Sequence, residues 1–403
     1  MHRCLELALL GAGHTAPNPM VGAVLVYDEP GGGIDGGGGK GGGAGMDGSM
    51  GEGRIIGEGY HRQYGQAHAE VNAIASVREE DRALIAHSTL YVSLEPCAHF
   101  GKTPPCADLI IEKKIPRVVV GCRDPFPQVN GKGIERLLAA GVEVTTGVLE
   151  KECIHLNRRF FTFNTQHRPY IVLKWAQSAD EKMAAAQAAG FGSGVGPRTF
   201  ISNDYTNRLV HQWRSEEAAI LVGTRTALAD DPALTVRLWN GPDPIRLVID
   251  KELKLPVSLQ LFDRKVRTIV FNALRHGEEG NLLYYRLAGG GNGPAGGSNE
   301  PAGRGAEPAG RGNQLATGDS LVRQLAMALY ELKIQSVLVE GGARLLQSFI
   351  DEDYWDEARV ITNTDLEIPG GLAAPVLKNA RLESRKTLLS DAIRYYKNPF
   401  SLS

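Results

Sequence analysis

The stretch that most constrains this chain is residues 93–106, Ser-Leu-Glu-Pro-Cys-Ala-His-Phe-Gly-Lys-Thr-Pro-Pro-Cys, set against His68-Ala69-Glu70 upstream. His68, Cys97 and Cys106 supply three protein ligands for a zinc ion. They leave the fourth tetrahedral position to water, which separates a catalytic zinc site from a closed structural one. Taken alone, His-x-Glu reads more readily as a solvated surface pair. Pro96-Cys97 and the second cysteine turn the reading towards metal. Any fold that satisfies it must bring a strand end, a loop and two helix starts to one point. The strand covers residues 89–94, and Cys106 opens an apolar helical stretch whose dipole favours a thiolate. Residues two apart on a regular helix do not share a face. His68 and Glu70 therefore reach one metal only at the start of a helix that runs on to about residue 77.

Such a site suits hydrolytic deamination. Zinc lowers the pKa of its water towards about 7. Glu70 is not a ligand, and it can carry the water proton to a ring nitrogen and then to the leaving ammonia. A purely structural zinc staple has no use for such a glutamate.

A chain of 403 residues exceeds one ordinary core, so two domains are expected. The net charge of −2 offers no basic surface for nucleic acid. No apolar run reaches membrane-span length, and Met1-His2-Arg3-Cys4-Leu5-Glu6 lacks a signal-peptide core. Five cysteines, an odd number, argue for reduced thiols and a cytoplasmic protein. Cys4, Cys122 and Cys153 lack ligand spacing and read as plain thiols.

About half of the 49 glycines lie in two blocks, about 30–53 and 288–314, which read as flexible insertions. A phosphate-cradling loop is the sharper alternative for the first, but no Gly-Lys-Ser/Thr ending is present. Outside them strands and helices alternate, as in an α/β layer fold. Helices are expected over 1–10, 133–140 and 203–214. Strands are expected over 21–27, 54–60, 117–121, 142–146, 170–176, 219–223, 245–250, 268–271 and 336–339. Residues 147–169 read as a connection and 184–197 as a mobile loop. At Val339-Glu340-Gly341-Gly342-Ala343 a strand runs through a glycine pair into a helix, a place for a dinucleotide pyrophosphate. An ordinary strand-to-helix turn reads the same way.

The residues Pro17-Asn18-Pro19, Gly59-Tyr60-His61, His68-Ala69-Glu70-Val71, Leu94-Glu95-Pro96-Cys97-Ala98-His99, Gly101-Lys102-Thr103-Pro104-Pro105-Cys106 and Asp124-Pro125 resemble the bifunctional riboflavin-biosynthesis deaminase-reductase family. The resemblance covers nearly the whole chain outside the glycine blocks. It implies a cytidine-deaminase-like three-layer α/β/α domain over 1–148, a connection over 149–168 and a dihydrofolate-reductase-like α/β domain over 169–403. The implied substrate of the first domain is 2,5-diamino-6-ribosylamino-4(3H)-pyrimidinone 5′-phosphate. His68, Cys97 and Cys106 would hold Zn2+ and Glu70 would shuttle protons. Asn18, His61 and His99 would meet the pyrimidine or ribose, and Lys102 and Asp124 the ribose phosphate region.

In the second domain NADPH would reduce the ribosyl group to ribityl. Ala176, Thr226, Asp230 and the turn Gly342, Ala343, Arg344, Leu345 and Leu346 would contact NADPH. Arg214, Leu234, Arg237 and Glu340 would contact substrate. Asp230-Asp231 before Pro232 could equally be turn chemistry. The chain departs from the family pattern at Phe126, where asparagine is common, at Arg198 and at Phe200. A fourth departure is Glu181, in place of a glycine. If that glycine takes a positive φ, Glu181 strains the turn.

The partners this implies are small molecules, with a homo-oligomer expected and neither nucleic acid nor membrane. Three other readings compete with the bifunctional enzyme. One keeps the deaminase and leaves the C-terminal domain only to bind or dimerise. Another is a deaminase that edits nucleic acid, and the last is a structural zinc protein.

Overall fold

The structure, a computed structural model, describes residues 1–28, 53–98, 104–126, 129–185, 200–288 and 319–401. The glycine-rich insertions, the loop expected over 184–197, His99, Lys102 and Arg198 lie outside the described residues, apart from the edges of the blocks. The chain forms two compact units that divide between His167 and Arg168.

The first unit contains α1 (His2–Leu9), β1 (Gly22–Tyr27), β2 (Arg54–Tyr60), α2 (Ala69–Ala75), β3 (Ser88–Leu94), α3 (Cys106–Glu112), β4 (Arg117–Cys122), α4 (Lys132–Ala139), β5 (Glu143–Thr146), α5 (Glu150–Leu156) and α6 (Arg158–Gln166). Its sheet order is β2-β1-β3-β4-β5; β1 runs antiparallel to both neighbours and β3, β4 and β5 are parallel. Alternation sends Ala23, Leu25, Leu90, Val92, Val118 and Val120 to one face, where they pack with residues of α2, α3 and α4. Val24 and Tyr91 face the other way, against α1. Cys122, at the end of β4, packs with Cys153 of α5 and Phe161 of α6. The result is a three-layer α/β/α unit. A Cβ on Gly59 would stand 2.2 Å from the Ala73 nitrogen, so α2 lies directly on β2 and its first turn is held to the sheet. Residues 149–168, read as a connection, are mostly helical as α5 and α6, because Cys153, Leu156, Phe161 and Phe163 have apolar surface to bury.

The second unit contains β6 (Tyr170–Gln177), β7 (Lys182–Ala184), α7 (Asp204–Glu216), β8 (Ala219–Gly223), α8 (Thr224–Asp230), β9 (Ile245–Ile249), β10 (Thr268–Asn272), β11 (Gly277–Glu279), β12 (Leu282–Arg286), α9 (Leu321–Glu331), β13 (Ser336–Gly341), α10 (Ala343–Asp351), β14 (Glu357–Asn363), β15 (Leu372–Ala373), β16 (Arg381–Leu388) and β17 (Asp391–Lys397). Ten of the strands form one sheet, ordered β11-β12-β10-β9-β8-β13-β6-β14-β17-β16. Ile171, Leu173, Leu221 and Val339 pack with α9 and α10, and Val172, Ile220, Val222 and Leu338 with α7 and α8. Parallel strands covered on both faces read as near-continuous apolar runs, which is why β6, β8, β9 and β13 were legible in sequence despite Lys174 in β6 and Arg246 in β9. The carboxyl ends of β6, β8 and β13 lie side by side, the usual place for a ligand crevice in such a sheet. Among the described residues no helix is long and apolar enough to cross a membrane.

Candidate active sites

His68 is the N-cap of α2, in extended backbone, with Glu70 in the first turn. The helix start therefore turns both side chains to one place, as their two-residue spacing requires. Cys106 opens α3 and Cys97 lies on the loop beyond β3. The Sγ atoms of Cys97 and Cys106 lie 3.5 Å and 3.3 Å from His68 Nδ1, and the three ligand atoms all fall within 4.8 Å of one another. A tetrahedral zinc with Zn–S near 2.3 Å and Zn–N near 2.0 Å would set nitrogen and sulfur about 3.5 Å apart. The two nitrogen–sulfur distances match those of a zinc ion's ligands.

The Cys106 N–H donates to Cys97 Sγ at 3.3 Å. Hydrogen bonding from Cys106 and the nearby His68 bring the Cys97 thiol down to about 4, against the effect of burial. The Cys106 thiol is pushed the other way, by Cys97, burial and Glu70. The two thiols lie in one buried cluster with His68, so a negative charge on either raises the cost of a second. A divalent ion would take the place of the thiol protons and offset both charges. Glu70 is 3% exposed, and burial, helped by Cys97 and opposed by His68, pushes its carboxyl up to about 7. A carboxyl poised there can both take and give a proton at neutral pH.

His61 stacks edge-on to His68 with ring centroids 5.5 Å apart. Its Nδ1 lies 3.1 Å from the Ala67 carbonyl and its Nε2 3.2 Å from Asn18 Nδ2. A carbonyl can only accept, so Nδ1 carries the proton and Nε2 accepts from the asparagine amide. Burial lowers the His61 pKa, which keeps the ring neutral. Asn18 and His61 are thus brought together beside the metal ligands. Asp124 is buried after β4, where its Oδ1 accepts the Phe126 N–H at 2.8 Å. Burial pushes its carboxyl up to about 7, the Phe126 bond opposes this, and Glu95 and Cys97 add to it. Phe126 is held by its backbone in this turn, which the side-chain departure from asparagine leaves intact. Cys4, Cys122 and Cys153 are buried free thiols.

In the second unit Glu340, on β13, meets Arg214 of α7 in a two-bond pair, Nε to Oε1 and Nη2 to Oε2, each 2.8 Å. Lys174 Nζ lies 3.9 Å from Glu340 Oε2. Burial works to raise the Glu340 carboxyl, but Arg214 and Lys174 overcome it and hold it at about 2. Glu340 is therefore a permanent acceptor, and the fork of Arg214 is largely committed to it. Arg214 Nη1 also donates to the Thr235 carbonyl at 3.2 Å.

Sequence reasoning missed Lys174 and His211. The Nδ1 atom of His211 accepts the Arg237 N–H at 2.9 Å. Burial first, then Arg214 and Arg237, hold its pKa at about 4, so it is a neutral acceptor. Its position one helical turn before Arg214 was the available signal. Leu234, Thr235 and Arg237 are thereby gathered against α7.

Gly341 has φ +126°, the Gly341–Gly342 peptide is cis, and Gly342 caps α10. A Cβ on Gly342 would stand 3.1 Å from Thr226 Oγ1, so the glycine turn lies against Thr226 of α8. Ala176 lies near the carboxyl end of β6, opposite Ile361. Arg344 is exposed, whereas Leu345 and Leu346 are buried in the core, which leaves their main chain to meet a ligand. Asp230 is exposed at the end of α8. Asp231 is turn chemistry: its Oδ1 accepts the Gln260 N–H at 2.7 Å. Glu181 has φ +60°, so it occupies the left-handed conformation that suits glycine, and Phe200 is 75% exposed.

The family model for the cytidine and deoxycytidylate deaminase zinc-binding region matches residues 1–122, and that for the RibD C-terminal domain matches residues 169–364. The riboflavin biosynthesis protein RibD of Aquifex aeolicus is 36% identical over 357 residues, covering 88% of this chain and 83% of its own. RibD of Bacillus amyloliquefaciens is 34% identical, covering 96% and 89%. A crystal structure from Thermotoga maritima, described as a diaminohydroxyphosphoribosylaminopyrimidine deaminase and 5-amino-6-(5-phosphoribosylamino)uracil reductase, is similar with a TM-score of 0.75. The two share 32% identity, with 99% of this chain and 97% of that one covered.

Proposed function

The chain belongs to the RibD family of riboflavin-biosynthesis proteins, and from that membership we propose how its residues divide two reactions between the two units. It is a bifunctional enzyme, a zinc-dependent deaminase and an NADPH-dependent reductase. The deaminase substrate is 2,5-diamino-6-ribosylamino-4(3H)-pyrimidinone 5′-phosphate, and the reductase acts on 5-amino-6-(5-phosphoribosylamino)uracil. The observation that carries the first half is the His68, Cys97 and Cys106 trio beside a buried Glu70.

In the first unit these three residues hold zinc, which when bound supplies the Lewis acidity that makes water a nucleophile at neutral pH. Glu70 would move the two protons of that water in turn, the first to the ring nitrogen and the second to the departing amine. His61 presents a neutral ring locked in one tautomer, and Asn18 orients it while reaching the pyrimidine. His99 meets the pyrimidine or ribose, and Lys102 and Asp124 the ribose phosphate region.

In the second unit NADPH when bound supplies the hydride. Ala176, Thr226, Asp230 and the backbone of residues 342–346 would hold it, and the start of α10, capped by Gly342, would suit its phosphates. Glu340 stays ionised and accepts hydrogen bonds from ribosyl hydroxyls. Arg214 holds Glu340 in place and meets substrate, together with Leu234 and Arg237. The domains act over 1–148 and 169–403, with α5 and α6 attached to the first. We place the enzyme in the cytoplasm as a homo-oligomer that handles small molecules and neither nucleic acid nor membrane.

The test is incubation with the diaminopyrimidinone phosphate, with and without NADPH, reading ammonia and NADPH loss separately. A chelator should stop ammonia release and leave NADPH oxidation with the supplied deaminated intermediate unchanged. No NADPH oxidation with that intermediate would leave the second unit as a binding or dimerising module.

A further inference from the structure

Glu95 has no part in the chemistry above. It lies two residues before Cys97 and is 4% exposed. Both of its oxygens accept from backbone N–H groups. Oε1 takes those of Gly133 at 2.9 Å and Ile134 at 3.3 Å; Oε2 takes those of Gly131 at 3.0 Å and Asp124 at 3.3 Å. The Glu95 N–H in turn donates to the Cys122 carbonyl at 3.0 Å. One side chain therefore joins three things: the loop that leads to a metal ligand, the residue Asp124, and the first turn of α4. The fit is tight, since a Cβ on Gly133 would stand 1.9 Å from the Pro96 carbonyl oxygen.

A carboxylate suits this place by its donor and acceptor inventory. It offers about four lone-pair sites and no donor. An amide of the same shape keeps one accepting oxygen and turns an NH2 group against two N–H donors. An apolar side chain leaves four buried donors without a partner.

We propose that Glu95 is a positioning residue of the deaminase site, which sets Asp124 against the metal-ligand loop. The proposal rests on the reading that Asp124 contacts the substrate. It is tested in the full chain with Glu95→Gln, Asp124→Asn and the double variant. Zinc content, deaminase KM and kcat are measured for each, and NADPH oxidation with the deaminated intermediate checks the other unit. Glu95→Gln is expected to keep one zinc per chain and to raise the deaminase KM about tenfold, with kcat changed less than about threefold. In the Asp124→Asn background the same change should add little, since it acts through Asp124.

A wild-type KM in Glu95→Gln, with a raised KM in Asp124→Asn, reduces Glu95 to scaffolding and overturns the proposal. Loss of zinc in parallel with activity makes it a support of the metal loop and does the same. A wild-type KM in Asp124→Asn removes Asp124 from the substrate site, and the proposal with it. If Glu95→Gln does not fold, Glu95→Asp keeps the charge with a shorter reach. It must then show a smaller KM increase with zinc retained; an unchanged KM overturns the proposal.

Discussion

Replacing Arg214 by methionine removes one side of the buried pair with Glu340 and leaves the buried carboxylate with only the more distant Lys174 as a cationic neighbour. The side chains of the pair are 12% and 8% exposed, so solvent screens them little. Two routes give the magnitude. Breaking a buried pair from one side costs about 3–5 kcal/mol. Independently, holding the Glu340 carboxyl at about 2 rather than its ordinary 4.5 corresponds to about 3 kcal/mol by linkage. Lys174, 3.9 Å away, still faces the carboxylate in the variant, which favours the lower end, about 3 kcal/mol.

For a unit of this size that is a fall of about 6–12 °C in melting temperature. The folded pKa is depressed, so this stability is complete above the unfolded pKa and is lost as pH falls through about 2. The gap between wild type and variant should be full at pH 7 and roughly halved near pH 3. Calorimetry of the full chain reads it, with the transition of the first unit as internal reference. The double variant Arg214→Met with Glu340→Met should recover most of the loss, because it leaves no buried charge behind. A shift below about 2 °C at pH 7, or one that does not shrink in acid, refutes the reasoning.

Three further outcomes are expected. Glu70→Gln lowers ammonia release about 10²–10⁴-fold while zinc stays bound; metal analysis alongside the assay decides it, and retained activity would remove the proton carrier. Glu181→Gly relieves a left-handed backbone and stabilises the second unit by about 1 kcal/mol; a lower melting temperature would show that Glu181 contributes more than it strains. His211→Leu strands the Arg237 N–H and raises the KM of the reductase step about tenfold. His211→Asn puts Oδ1 where Nδ1 was and restores it, and equal KM values in the two variants would detach His211 from the substrate loop.

The metal site was legible because its ligands obey local rules. His68 and Glu70 had to stand at a helix start, and Cys106 had to open a helix after a proline pair. These statements need only helix geometry and spacing. The buried parallel strands were legible for a related reason: being covered on both faces leaves a near-continuous apolar run. β16 was not, because Arg381–Leu388 is charged and nearly wholly exposed, and only its pairing with β17 makes it a strand. The same holds for α5 and α6, short helices of seven and nine residues that bury Cys153, Leu156, Phe161 and Phe163 against the first unit.

The roles of Glu95 and Lys174 were invisible for a sharper reason, and that of His211 was marked only by its place one turn before Arg214. Each acts on residues far away in the chain: Glu95 on Asp124 and Gly133, Lys174 on Glu340, His211 on Arg237. The sequence alone determined which chemistry the chain can perform, since ligand type, spacing and local helix geometry are properties of neighbours. The tertiary structure decided the charge states and the positions of the supporting groups. Burial and long-range pairing set both, and neither exists until the chain has folded.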